Sequence, residues 1–551
     1  MIIMDKKRTR KTQPVILVLI CLAAVSWKVV LLCFDKFPFN ADEAIVALMA
    51  RHILQGELPV FFYGQAYMGS LDAYLVAGAF SIFGQNVAAI RIVQIFLYLA
   101  TIISSVAITR KIAPSIHAGW HTAILLAFPA VNMTLYTTVS LGGYGEALLF
   151  GNLLIVLTFS ISSHFNRQDE FDKRPVFLSL LFWGVIAGVG FWANGLTLIY
   201  IIPSFAFIIL SAIQNGRAKL ASNIVWVFWS ILLGLLLGAL PYWFYGFQHG
   251  WSLLVKELFG SAVSVESGNW VNISFDHLRN FILLGIPVIL GFRPPWAVKW
   301  LIAPMIPMVL MAWSWLLFTF HNLHRRGAVN IHAANLLLGV FSFLIAAFIF
   351  SPFGIDPSGR YFLPIMVILA IFGGISLAQL KGKWRAILLT TILIYNVGGT
   401  IQCALEDPPA LTTQFYAPTI IDHTYDRDLI QFLNSQGETY GYTNYWVAYP
   451  LAFLSHETLI YIPALPYHLD MRYTERDNRY ESYSRSVSKA SRVAYITTNH
   501  EALDGYLRQA FRRESIEWQE TKIGSYQVFY GLSKVVRPVD LGLNFSHEFL
   551  E

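Results

Sequence analysis

A chain of 551 residues, 56% hydrophobic and only 13% charged, with a mean hydropathy of +0.54, is no ordinary soluble protein. Apolar stretches of about 20 residues, the length a bilayer demands, recur along most of it. The formal charge of +6 lies in short clusters beside hydrophobic runs, which reads as loop asymmetry and excludes the basic face of a nucleic-acid binder.

From the N-terminus, Lys6 to Lys11 precede an apolar run from Val15 to Phe34. This resembles the charged and hydrophobic regions of a signal peptide. The run is long enough to span, however, and Trp27 and Lys28 interrupt any small-residue cleavage site, so it is expected to be an uncleaved anchor with its basic end in the cytoplasm. Just beyond it, Phe39 to Gly56 predicts a short helix. Asn40 caps it, Asp42 and Glu43 occupy the first turn, Ile45, Leu48, Met49 and Ile53 form one apolar face, and Gly56 ends it. Such a helix should lie along the membrane surface. Acids in a first turn complement the helix dipole, which suits Glu43; Asp42 need not cap anything and is free to point elsewhere.

Further spans are expected near 87–109, 116–136, 146–162, 176–192, 197–213 and 222–244, then near 300–320, 332–350, 361–380 and 384–402, making about eleven crossings with the first. Basic clusters at Arg110–Lys111, Arg167 to Arg174, Arg217 to Lys219, His324 to Arg326 and Lys381 to Arg385 then all fall on the side of the basic N-terminus. The shorter apolar stretches Leu71 to Phe83 and Leu278 to Phe292 read as in-plane or re-entrant helices. Gly184, Gly188 and Gly190 sit inside a span, where small residues pack helices together. An odd crossing count leaves everything after about Leu405 outside. That tail, 405–551, is charged and tyrosine-rich and follows a joint at Asp407-Pro-Pro409. Thr458 to Ile462 and Val493 to Thr497 read as strands and Arg427 to Leu433 as a helix, a small α/β or α+β domain. Cys21, Cys33 and Cys403 give neither a disulfide framework nor metal-ligand spacing.

Polar residues gather in the outer loops. Thr137 to Gly145 delivers Glu146 at the start of a span. Gly246 to His277 carries His249, Lys256, Glu257, Glu266, Asp276 and His277 and is long for a connector. Ser351 to Pro364 puts Arg360 and Tyr361 at the mouth of a span, where the planar fork of a guanidinium suits a phosphate.

Four segments together carry a family resemblance: Asn40-Ala-Asp-Glu43, Gly64-Gln-Ala-Tyr-Met-Gly-Ser-Leu-Asp-Ala-Tyr74, Phe83-Gly-Gln-Asn-Val-Ala-Ala-Ile-Arg91 and Gly359-Arg-Tyr-Phe-Leu-Pro364. In this order, over roughly residues 10–400, the chain resembles the GT-C superfamily of polytopic glycosyltransferases. The likeness is to the branch of protein O-mannosyltransferases and lipid A aminoarabinose transferases, of the glycosyltransferase family 39 type. The resemblance implies an α-helical polytopic membrane protein with about eleven to thirteen transmembrane helices. Residues 1–404 would form the catalytic membrane domain and residues 405–551 an extracytoplasmic α/β or α+β domain. It further implies a sugar donor on a polyprenyl phosphate, a hydroxyl acceptor at the outer face of the bilayer, and no nucleic-acid partner. Asp42 matches the family's catalytic first-loop acid, Glu43 accompanies it, and Glu146 matches a second-loop acid. Arg360 and Tyr361 fall to the donor phosphate. A divalent metal ion is the cofactor in view, with Asp72 and His249 at the positions of its carboxylate and histidine ligands. The Glu-Lys-Pro-Pro pattern usual beside that carboxylate is replaced here by Ser-Leu-Asp-Ala-Tyr.

A lipid-linked phosphate leaves readily once its charge is stabilised, so one base on the opposite face of the sugar suffices and inversion is expected. The rival class is a transporter or flippase of lipid-linked sugars, for which Lys28, the clear intramembrane charge, would be the signature. A non-enzymatic receptor or scaffold would instead bind without turnover.

Overall fold

The computed structural model describes residues 2–165, 173–214, 220–258, 268–406, 409–414 and 416–543. The basic clusters Arg167 to Arg174 and Arg217 to Lys219 lie largely outside these residues, as do Glu266 and part of the Asp407-Pro-Pro409 joint. Among the described residues, nine helices are long and apolar enough to cross a membrane, ten if one bent pair counts as a single span. The chain is thus a multi-pass membrane protein.

Two of the eleven expected crossings depart from straight helices. The stretch 116–136 is broken into Ile116–Ala127 and Val131–Tyr136. Pro129 sits in the break, offering no N–H and disfavouring helix at the residue before it. The stretch 222–244 bends by 69° between Val225–Gly238 and Leu240–His249, where Pro241 opens the second helix. Leu71–Phe83 is a helix of 13 residues, too short to span upright. Leu278 to Phe292 runs through the end of the helix Trp270–Asn280, a π-helical turn at Phe281–Gly285 and the short helix Ile286–Ile289.

The chain divides into two compact units. The first comprises Met1–Phe34, Tyr67–Asp72 and Arg91–Cys403, and the second Asp35–Ala66, Ala73–Ile90 and Ala404–Glu551. The first loop therefore clusters with the C-terminal residues. In the first unit, the helices Lys173–Ala193 and Leu220–Gly238 meet backbone to backbone. A Cβ on Gly184 or Gly188 would collide with the carbonyls of Ile231 or Leu235, and one on Gly234 or Gly238 with those of Leu181 or Val185. In lipid, where apolar burial drives no association, such close approach is what holds two helices together.

The second unit contains a five-stranded sheet in the order Ile460–Pro463, Tyr440–Thr443, Ala494–Thr498, Tyr526–Tyr530, Gln519–Ile523. The first three strands are parallel and the last two pairings antiparallel. The parallel strands are joined through helices, Tyr445–Leu454 between the first pair and Glu481–Ser488 before Ala494–Thr498, the crossover that parallel pairing requires. Tyr442, Tyr495, Leu507, Phe511 and Phe529 fill the core against one face.

The helix Ala41–Leu54 belongs to this unit and packs on Tyr445–Leu454. Asn40 caps it as expected, its side chain accepting from the Glu43 backbone N–H at 3.0 Å. It differs from the half-immersed surface helix the sequence suggests: every residue from Glu43 to His52 is buried. Val46, Ala47 and Ala50 supply a second apolar side, so the helix is enclosed all round.

Candidate active site

In the second unit, Asp42 is half-buried and its carboxylate Oδ1 accepts a hydrogen bond from the Tyr445 hydroxyl. Tyr445 opens the helix Tyr445–Leu454. Asn444 caps that helix, accepting from the Trp446 N–H at 3.0 Å and donating to Thr498 Oγ1 at 2.8 Å, which ties it to the sheet. The Arg479 guanidinium lies 5.5 Å from the centre of the Tyr445 ring. With the Gln65 amide oxygen turned towards it, Arg479 donates to that oxygen from both terminal nitrogens at 2.9 Å. The Arg479 backbone N–H donates to the Tyr449 hydroxyl at 2.5 Å, and Tyr449 donates to the Asp477 carbonyl at 2.8 Å. Burial pushes the Asp477 carboxyl up to about 7, against the pull of Arg479 and with the charge of Asp42 adding to the rise. Glu43 is buried in the first turn beneath Asn40.

At the other end of the same helix, Arg51 and His52 are buried around Glu457. The Glu457 carboxylate pairs with Arg51 at 3.3 Å and with His52 Nε2 at 3.0 Å and accepts from the Tyr483 hydroxyl at 2.7 Å. Burial alone would raise this carboxyl. The hydrogen bonds from His52 and Tyr483 and the charges of His52 and Arg51 bring it down to about 2.

In the first unit, Asp72 and Glu146 are buried neighbours. Asp72 accepts from Gln94 at 2.8 Å and from the Ser140 hydroxyl, whereas among the described residues neither oxygen of Glu146 accepts from a donor outside this pair. Two buried carboxyls this close need a shared proton or a cation between them. Ser140 lies in the loop after Val131–Tyr136, and Lys28 holds the start of that loop. Its ammonium donates to the Thr137 carbonyl and the Thr137 and Thr138 hydroxyls at 2.7–2.8 Å, over the Tyr98 ring at 4.6 Å.

Arg360 opens the span Arg360–Gln379. It pairs with Asp356 at 2.5 Å, and among the described residues its buried Nε has no partner. Gly359 before it has φ 103°, and a Cβ there would strike the Asn132 side chain, so this turn requires glycine. The Arg360 guanidinium lies 5.2 Å from the Tyr361 ring centre. Tyr361 and Tyr144 line a cavity of about 280 Å³ whose remaining wall is mostly apolar, with Ile199, Ile202, Leu258 and Leu344 among its residues.

The expected metal pair is not assembled. His249 ends the helix Leu240–His249, stacked on Tyr245 with ring centres 4.1 Å apart, and its Nδ1 reaches the Tyr245 carbonyl. Asp72 is enclosed by Gln94, Ser140 and Glu146 instead. Among the described residues no three metal-ligating side chains converge. Asp72 and His249 are thus each engaged with other groups, and no third ligating side chain joins them among the described residues. Sequence reasoning missed Tyr445, Asp477, Arg479, Ser140 and Gln94. Each acts through a contact distant in sequence that no local spacing signals.

No family model matches the chain, and no curated protein matches it. Solved structures do. ArnT from Cupriavidus metallidurans bound to undecaprenyl phosphate superposes with a TM-score of 0.59 at 12% identity, over 95% of this chain and 99% of that one. ArnT in the apo state gives 0.57 at 13%, over 93% and 97%. The archaeal oligosaccharyltransferase AglB from Archaeoglobus fulgidus, in complex with an inhibitory peptide and a dolichol-phosphate, gives 0.51 at 12%, over 96% and 74%. The chain has the GT-C fold expected from its sequence.

Proposed function

We propose that this protein is a membrane glycosyltransferase that moves a sugar from a polyprenyl-phosphate donor to a hydroxyl acceptor at the outer face of the membrane, with inversion and with Asp42 as general base. The observation that carries the reading is the apolar cavity of the first unit, whose lining residue Tyr361 has the Arg360 guanidinium over its ring. A prenyl chain needs the first and its phosphate the second. The fold likeness to ArnT, solved with undecaprenyl phosphate, supports the same ligand class.

In this reading the acceptor O–H gives its proton to the Asp42 carboxylate as its oxygen bonds to the anomeric carbon, from the face opposite the phosphate. The bond from that carbon to the phosphate oxygen breaks, and the electron pair leaves with the phosphate. Arg360 meets the charge released there: Asp356 occupies one side of its fork, and Nε retains a proton to donate. Residues 1–404 supply the base and the phosphate-binding arginine, residues 405–551 lie outside, and the N-terminus is cytoplasmic.

The flippase reading draws less support. The three acceptors around Lys28 use all three protons of its ammonium, which suits a structural tie better than a moving charge.

The test is incubation of the purified protein with tritium-labelled mannosyl, glucosyl and aminoarabinosyl undecaprenyl phosphates. One of them should be consumed, and Asp42→Asn should slow that consumption by orders of magnitude without loss of insertion. Near-normal turnover by Asp42→Asn removes Asp42 from the reaction. For the topology, a cysteine at Gly382 should be shielded from an impermeant reagent in intact cells and one at Glu517 should react.

A further inference from the structure

A carboxylate acting as a base has two oxygens, and its efficiency depends on which one is presented and how firmly. Oδ1 of Asp42 is engaged by the Tyr445 hydroxyl, and among the described residues no hydrogen bond to Oδ2 is formed. The direction of the Tyr445 bond is fixed. An ionised carboxylate can only accept, so the phenol must donate, and burial, followed by the charge of Asp42, keeps that phenol protonated by moving it well above its ordinary range. Tyr445 is itself held from three sides: its helix is capped by Asn444, its ring is covered by Arg479, and its edge meets Trp446 and Tyr449 with ring centres 5.4 and 5.6 Å away. Arg479 is tied to Gln65, which holds the cation over the ring, and its charge also interacts with the acids Asp42 and Asp477.

We propose that Tyr445, a residue of the C-terminal region backed by Arg479, is the positioning residue of the reaction: its hydroxyl fixes Oδ1 of Asp42 and thereby aims Oδ2 at the acceptor proton. This rests on the reading of Asp42 as the base. The C-terminal region is then a working part of the catalytic apparatus, since the element that orients the base lies about 400 positions along the chain from it.

Tyr445→Phe removes one oxygen and keeps the ring that packs against Arg479. With the labelled donor that the wild-type protein consumes, it should lower kcat by about ten- to hundredfold, the range of a hydrogen bond to a charged group. The donor KM should stay within about twofold and the thermal midpoint should be unchanged, because only the aim of the base is lost. Wild-type kcat in Tyr445→Phe, alongside a slow Asp42→Asn, overturns the positioning role and leaves Asp42 as the base. A fall in kcat accompanied by a lowered midpoint or a matching rise in KM also overturns it, assigning the hydroxyl to packing. Near-normal turnover by Asp42→Asn defeats the underlying reading instead.

Discussion

Replacing Glu457 by glutamine removes the charge at the centre of the Arg51–His52–Tyr483 cluster with almost no change of shape. The carboxyl is held down from its ordinary 4.5 to about 2. At full strength a shift of that size corresponds to about 3.4 kcal/mol. The side chain is 20% exposed, so solvent screening reduces this to about 1.5–2 kcal/mol. Arg51 is not orphaned by the change, because it still donates to the Phe453 carbonyl at 3.1 Å and to Gln85 at 2.8 Å and lies over the Phe453 ring. That keeps the cost below the ~3–5 kcal/mol of breaking a fully buried pair. The sign follows from the depressed value: the stabilisation is present above the unfolded value of about 4.5 and is lost as pH falls from there towards about 2. The full chain in detergent should therefore melt about 1–2 °C lower as Glu457→Gln than as wild type at pH 7, and the gap should shrink by about half on going to pH 3. Near-ultraviolet ellipticity of the stacked Tyr63 and Tyr480 rings, recorded at one scan rate, reports the transition. Equal midpoints at pH 7, or a gap that stays constant to pH 3, would refute the argument.

The Asp477 carboxyl gives the opposite slope. Raised in the fold to about 7, it favours folding below the unfolded value and withdraws that support as pH rises towards 7. Asp477→Asn should thus be more stable than wild type by about 1–3 kcal/mol at pH 8 and equal to it near pH 4, as read by melting. Arg360→Lys should retain transfer yet weaken the apparent affinity for the lipid-phosphate donor about tenfold, because an ammonium cannot reproduce the fork; donor-concentration kinetics check this. Gly188→Leu, which drives a side chain into the Leu235 carbonyl, should abolish the folded protein in a fluorescence-detected gel-filtration assay, while Gly382→Leu, with nothing within 4 Å, should be tolerated.

What was legible in the sequence was what local chemistry dictates. Asn40 and Gly56 bracket the helix Ala41–Leu54 because capping is a matter of a few adjacent residues. The glycines at 184 and 188 declared a packed face because lipid leaves such residues little other use. Arg360 at the head of its span was equally plain, whereas its partner Asp356 was not singled out, because the irregular turn between them brings the two together rather than a helical spacing. The break at Pro129 was overridden by the apolar run around it. Most of the surroundings of Asp42 stayed hidden, because Tyr445, Asp477 and Arg479 meet it through the tertiary fold of the C-terminal region. Asp72 and Glu146 were each noted separately, and what joins them is the loop that Lys28 secures.

The size of the apolar cavity bears on substrate tolerance. At the small end of ligand pockets, it would hold only the first few isoprenyl units of the proposed donor and falls far short of a whole polyprenyl chain. The remainder of such a tail would stay dissolved among the acyl chains, where one more isoprenyl unit costs the protein nothing. A donor of this kind would be selected at its head and first few carbons, and truncated water-dispersible analogues should serve as well as the natural lipid, which makes the chain open to kinetics outside a bilayer.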